Sequence, residues 1–166
     1  AMRQVTSTPV SVVVNGVDSR AFSEVSADPL SQCMLFVGNY EYAPNLDAVQ
    51  WLLEEIFPRV WQQCPTARLA IAGYGLPEEW RSRWPDARVE WLGFVPDLTA
   101  VQRRCSGFVA ALRHGGGSKL KVLEAMAAGL PLVSTRQGAS GLAIQPEQHY
   151  LAGETAEDLA EAIVRL

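Results

Sequence analysis

The residues best suited to hold an anion are His114-Gly115-Gly116-Gly117-Ser118, followed at once by Lys119 and Lys121. Three glycines leave backbone amides uncovered and free to take positive φ. They run into a helical pattern, and the unpaired N–H groups and dipole of a helix N-terminus favour negative charge. Lys119 and Lys121 stand in the first turn, where the macrodipole disfavours cations by roughly a few tenths of a kcal/mol. A diphosphate would resolve that conflict. The plainer reading is that the glycines only let the chain turn, with Lys121 pairing Glu124 at i+3 on a solvated face. The Walker order G-x-x-x-x-G-K-[ST] is absent, and Gly73-Tyr74-Gly75-Leu76-Pro77-Glu78 lacks the third glycine of a dinucleotide fingerprint.

Such a loop needs a scaffold, and the pattern around it supplies one. Apolar runs at Val10 to Val14, Met34 to Val37, Arg68 to Ala72, Val89 to Leu92, Phe108 to Leu112 and Leu130 to Ser134 do not alternate. They suit strands buried on both faces of a parallel sheet. Leu46, Val49, Leu53, Ile56 and Val60 predict a helix behind Asn45 as N-cap, kinked or ended by Pro58. Short helices are expected in Pro77 to Trp84 and Asp97 to Arg104. Leu120, Leu123 and Ala127 form a stripe with Ser118 as N-cap and Gly129 as C-cap. Thr155-Ala156-Glu157-Asp158 resembles a capping box opening a last helix through Leu159, Ile163 and Leu166. Ser23 to Gln32 reads as a loop. The expected architecture is α/β, a Rossmann-like open parallel sheet with helices on both faces. Its ligand belongs beyond the carboxyl ends of the strands, where Gly38-Asn39, Gly73 and the triple glycine lie.

With 166 residues, 48% apolar and 19% charged, the chain suits one globular domain. A net charge of -4 gives no electrostatic reason to expect nucleic acid or an anionic membrane as partner. Cys33, Cys64 and Cys105 are scattered, which suits buried thiols in a reducing compartment, not a disulfide frame or zinc site. No Asp, His or Cys cluster has metal-ligand spacing, and no apolar run reaches the roughly 20 residues that span a bilayer. The start lacks a secretory h-region. Ala1 before Met2 and the unstopped helix at the end lead us to expect a piece of a longer protein. His114, His149 without triad partners, the five tryptophans, Glu54-Glu55 and Glu78-Glu79 read as structural or solvated.

The stretch "GGGSKLKVLEAMAAGLPLVST", Gly115 to Thr135, resembles the signature segment of retaining GT-B-fold glycosyltransferases of the group 1, family 4 type. "VVVNGVDSRAF" resembles that family's opening strand into its C-terminal domain, "FVGNYEYAPNLDAV" its next strand and glycine loop, and "RLAIAGYG" the strand after that. "VEWLGFVPDL" matches its base-holding segment.

The resemblance implies that residues 1–166 are a single donor-nucleotide-binding domain, with the N-terminal acceptor domain absent. Glu124 then accepts from both ribose hydroxyls. The main chain of Val95 reads the base, and Gly38 and Asn39 approach the phosphates from below. This sequence departs from the family at two places. Gly116 stands where many members carry a glutamate that contacts the transferred sugar. Asn39 and its neighbours supply none of the usual Arg and Lys. Lys119 and Lys121 are the replacement charges, with Arg113 the weaker candidate, and sugar recognition falls to the amides of Gly116, Gly117 and Ser118. The implied reaction is retaining transfer from a nucleotide-diphosphosugar, without metal or cofactor, in bacterial polysaccharide or glycoconjugate synthesis. The implied location is the cytoplasm, with membrane contact only through the absent half; the fragment alone is expected to bind donor and be inactive. The alternatives are a non-catalytic GT-B-like interaction domain and half of a nucleotide-sugar epimerase. A flavodoxin-like signalling module would need an acidic cluster at the strand ends, which the Gly38 and Gly73 loops do not offer.

Overall fold

The computed structural model describes Pro9, Ser11 and residues 13–166. Strands β1 (Cys33–Val37), β2 (Arg68–Ala72), β3 (Val89–Gly93), β4 (Gly107–Ala110), β5 (Leu132–Ser134) and β6 (Leu151–Ala152) form one sheet in the order β3-β2-β1-β4-β5-β6. Every pairing is parallel. Side chains divide by strand period: Met34, Phe36, Leu69, Ile71 and Val109 enter one core, and Cys33, Leu35, Ala70, Ala72, Phe108 and Ala110 the other. That two-sided burial is why the runs do not alternate in the sequence.

The first core is covered by α1 (Ala43–Trp51), a π-helical segment Leu52–Ile56, α2 (Phe57–Gln63), α3 (Trp80–Arg83) and α6 (Ala156–Arg165). The second is covered by α4 (Leu98–Gln102) and α5 (Leu120–Ala127). Strand order reverses between β1 and β4, the point at which open α/β sheets leave a crevice. The fold class is the expected one.

Several local expectations need correction. Val10 and Val12 lie outside the described residues; Val13 and Val14 are exposed coil, 91% and 78% accessible, and pair with no strand. Strand β6 was not anticipated, because two residues carry no periodic signal. Asn45 is not the N-cap of α1. Pro44 occupies the first turn, Tyr42 is the cap, and Asn45 is buried inside. Pro58 does not stop its helix. Before it the backbone widens to i→i−5 bonding, with Phe57 N–H donating to the Leu52 carbonyl, and the helix continues to Gln63. In α5 the fully buried residues are Val122 and Ala125, whereas Leu120 is 43% exposed. The capping box of α6 is present as expected, with Thr155 Oγ1 accepting from Asp158 N–H at 3.1 Å and Asp158 Oδ2 from Thr155 N–H at 3.0 Å.

Glycine governs the strand ends. Gly73 has φ of +135°, and a Cβ there would fall 1.7 Å from the Gly38 carbonyl oxygen. Gly73→Ala is therefore expected to destabilise the fold by more than about 3 kcal/mol in urea denaturation. Gly116→Ala, with nothing within 4 Å of the added carbon, should stay within about 0.5 kcal/mol of the parent. Equal stabilities for the two variants would disprove the close approach of the β1 and β2 loops.

Candidate functional site at the sheet reversal point

The loop after β4 and the start of α5 carry an unusual set of donors. Gly115 and Gly117 take φ of +108° and +84°. Lys119 occupies the cap position with no side-chain hydrogen bond to the helix, so Ser118 does not cap it, contrary to expectation. Among the described residues, the N–H groups from Gly117 to Lys121 have no hydrogen-bond acceptor. They remain available to an anion.

Two lysines face the same problem. Lys119 is 4% exposed and forms no ion pair among the described residues. Lys121 does not pair with Glu124. Its Nζ donates to Asn45 Oδ1 at 2.7 Å and lies 4.5 Å from the Phe36 ring centroid. Burial, with a smaller contribution from Lys119, lowers the Lys121 pKa to about 7, and burial lowers that of Lys119 as well. Asn45 is fixed in turn by Nδ2 donating to the Asn39 carbonyl at 2.8 Å.

The other residues singled out in the sequence lie on α5 and on the loops that follow β1, β3 and β4. Glu124, one turn into α5, is half-buried and its carboxylate accepts no hydrogen bond among the described residues. Val95 follows Gly93, whose φ is +64°, and its N–H and carbonyl are likewise unpaired among the described residues. Gly38 donates to the Ala72 carbonyl, and its bare Cα lies against Asn45. Asn39 Oδ1 accepts from Glu41 N–H at 3.0 Å, so that side chain is used in its own turn. Arg113 is held by both carboxylate oxygens of Asp47, and its guanidinium lies 5.0 Å from the Trp51 ring. His114 Nδ1 is 3.6 Å from the same carboxylate.

Tyr42 was not singled out by sequence reading. Its hydroxyl accepts the Gly116 N–H at 3.0 Å, crossing from the β1 loop to the β4 loop. With Pro44 it packs so closely on Gly115 that a Cβ there would lie 2.9 Å from both. The Gly116 amide is thus engaged, whereas those of Gly117 and Ser118 are open. An aromatic beside the β1 glycine was the available signal, but it carries no mechanism without the fold. Beside the open amides, Gly117, Ser118, Lys119 and Leu123 line a cleft of about 250 Å³ with Ser140, Gly141 and Val13 to Asn15. Among the described residues, no cluster of His, Cys, Asp and Glu is placed to hold a metal, and no helix is long and apolar enough to cross a membrane.

The chain belongs to the group 1 glycosyl transferases: residues 31–166 match the family described as "Glycosyl transferases group 1". It is 33% identical over 116 residues to an uncharacterized 44.6 kDa protein in the cps region of Klebsiella pneumoniae, covering 65% of this chain and 30% of that protein. It is 28% identical over 164 residues to a phosphatidylinositol N-acetylglucosaminyltransferase component of Arabidopsis thaliana, covering 93% and 35%. The chain therefore spans about a third of the length of these relatives. The fold is similar to that of Anabaena HepE crystallised with UDP and glucose, with a TM-score of 0.70, 17% identity, and coverage of 92% of this chain and 46% of that one.

The partly desolvated Lys121 makes stability depend on pH. In the unfolded chain a lysine titrates near about 10.4; folded, Lys121 titrates at about 7. Between those values the unfolded state binds the extra proton, so stability rises with pH across that window. Urea midpoints should increase from about pH 6 to about pH 9, and less so in Lys121→Met. Parallel profiles for the two proteins would show that the ammonium is not desolvated.

Proposed function

We propose that this chain is the donor-nucleotide-binding domain of a retaining glycosyltransferase that uses a nucleotide-diphosphosugar. The observation that carries the reading is the buried Lys119 and the half-buried Lys121, without carboxylate partners among the described residues, beside unpaired amides at the start of α5. Such donors, fixed in advance, stabilise a diphosphate as it departs, with no reorganisation at the moment of bond cleavage. Lys119 and Lys121 supply the charge, and Gly117 and Ser118 the directed N–H groups.

Glu124 lies three residues beyond Lys121, on the same side of the helix. Its free carboxylate suits the two ribose hydroxyls. The open main-chain donor and acceptor of Val95 suit a base edge, and Gly38 and Asn39 border the phosphates. UDP bound to HepE supports a uridine nucleotide as the first ligand to try. The relatives' greater length supports an acceptor domain elsewhere in the protein, and the cps-region relative a role in bacterial polysaccharide assembly. The chain of 166 residues binds donor in the cytoplasm and transfers nothing alone; the absent half provides any membrane contact.

Calorimetry with UDP, GDP and ADP tests this reading. One nucleotide should bind, and Glu124→Ala should weaken it about tenfold or more, the loss of one or two charge-assisted bonds. Inorganic pyrophosphate should compete, and Lys119→Ala should weaken both ligands. No binding by any nucleotide, or unchanged affinity in Glu124→Ala, would overturn the assignment.

A further inference from the structure

Cys33 opens β1 and Cys105 follows α4, separated by more than seventy residues, yet both side chains are fully covered and their sulfurs lie 3.9 Å apart. The backbone joins the same two segments: Ser106 N–H donates to the Cys33 carbonyl at 2.8 Å, and Ser106 Oγ does so at 3.2 Å. Beside them runs an ion-paired triad. Glu90 accepts from Arg68 at 2.9 Å and from Arg104 at 2.6 Å, and Arg68 is the strand partner of Cys33. Cys64, the remaining cysteine, is partly exposed.

We propose that Cys33 and Cys105 are a modification site, a dithiol that a peroxide converts to an intramolecular disulfide. The roles of the two sulfurs follow from their hydrogen bond. Cys105 S–H donates to Cys33, which holds the Cys33 thiol below its ordinary range and pushes that of Cys105 up. Cys33 is the attacking sulfur, since the thiolate is the nucleophile. It attacks one peroxide oxygen, the O–O bond breaks, and the departing oxygen takes the Cys33 proton and leaves as water. The Cys105 sulfur then attacks the Cys33 sulfenic acid, the S–O bond breaks, and the second water leaves with the Cys105 proton. Two thiols lose two electrons, and one peroxide becomes two waters. The sulfurs must close from 3.9 Å to the ~2.05 Å of a bond.

The tie fastens β1 to the α4–β4 connection at the amino ends of the strands, opposite the candidate donor loops. It closes a long loop, which restricts the unfolded chain. Peroxide is expected to raise the melting temperature by several degrees while leaving nucleotide affinity unchanged.

The test is treatment of the folded protein with hydrogen peroxide, followed by thiol titration, intact mass and a non-reducing peptide map. Titratable thiols should fall from three to one, with the mass of two hydrogens lost, the Cys33 and Cys105 peptides joined, and full reversal by dithiothreitol. In Cys105→Ser the reaction should stop at a Cys33 sulfenic acid that dimedone traps. Conditions that oxidise Cys64 while Cys33 and Cys105 both stay reduced would overturn the proposal. So would a disulfide that includes Cys64.

Discussion

A desolvated ammonium sets the arrangement of the strand ends. Lys121 cannot be covered unless something accepts from it, and the group provided is neutral: the Oδ1 of Asn45 at 2.7 Å. For Asn45 to reach it, the first turn of α1 must press against β1, and there a Cβ on residue 38 would lie 3.0 Å from the Asn45 side chain. Gly38 follows from that. Its carbonyl in turn lies against the Cα of Gly73, so residue 73 is glycine too, and Gly73 N–H closes on the Gly93 carbonyl at 2.7 Å. One half-buried lysine on α5 thus connects through contacts to the ends of β1, β2 and β3.

That chain of contacts explains which parts of the fold were legible in the sequence. Five of the six strands were, because burial on both faces writes itself as an uninterrupted apolar run. The capping box of α6 was legible because both partners lie within four residues. Asn45 was misread as a cap for the opposite reason. Asparagine is a good N-cap by propensity, but its partners here are Lys121, 76 residues away, and the Asn39 carbonyl. The helix accordingly begins before it. Ser118 fails as a cap because Gly117, at φ +84°, turns the chain so that Lys119 takes the cap position instead. Neither the contact between Asn45 and Lys121 nor the local turn at Gly117 leaves a periodic trace.

The candidate site divides along the same line. Its chemistry was readable as residue types: the glycine triplet, the two lysines, the glutamate one turn on. Its occupancy was not. Tyr42 on the Gly116 amide and Asp47 on Arg113 join residues 74 and 66 positions apart. Both change what the loop offers to a ligand. The thiol pair is the same lesson outside the site, since scattered cysteines become neighbours only once β1 and β4 are side by side.

Charge placement in the proposed donor site follows from these occupancies. Asn39 spends its side chain on the turn to Glu41, and Arg113 is neutralised by Asp47, so neither the β1 loop nor the base of the β4 loop has a free cation. The positive charge that remains is on α5, where the helix dipole opposes it and burial lowers the affinity of Lys121 for its proton. A diphosphate at the uncapped N–H groups would reverse both penalties, since an anion there favours the dipole and the protonated lysines alike. In the proposed reading, the lysines that burial and the helix dipole disfavour are thus the groups that would hold a diphosphate.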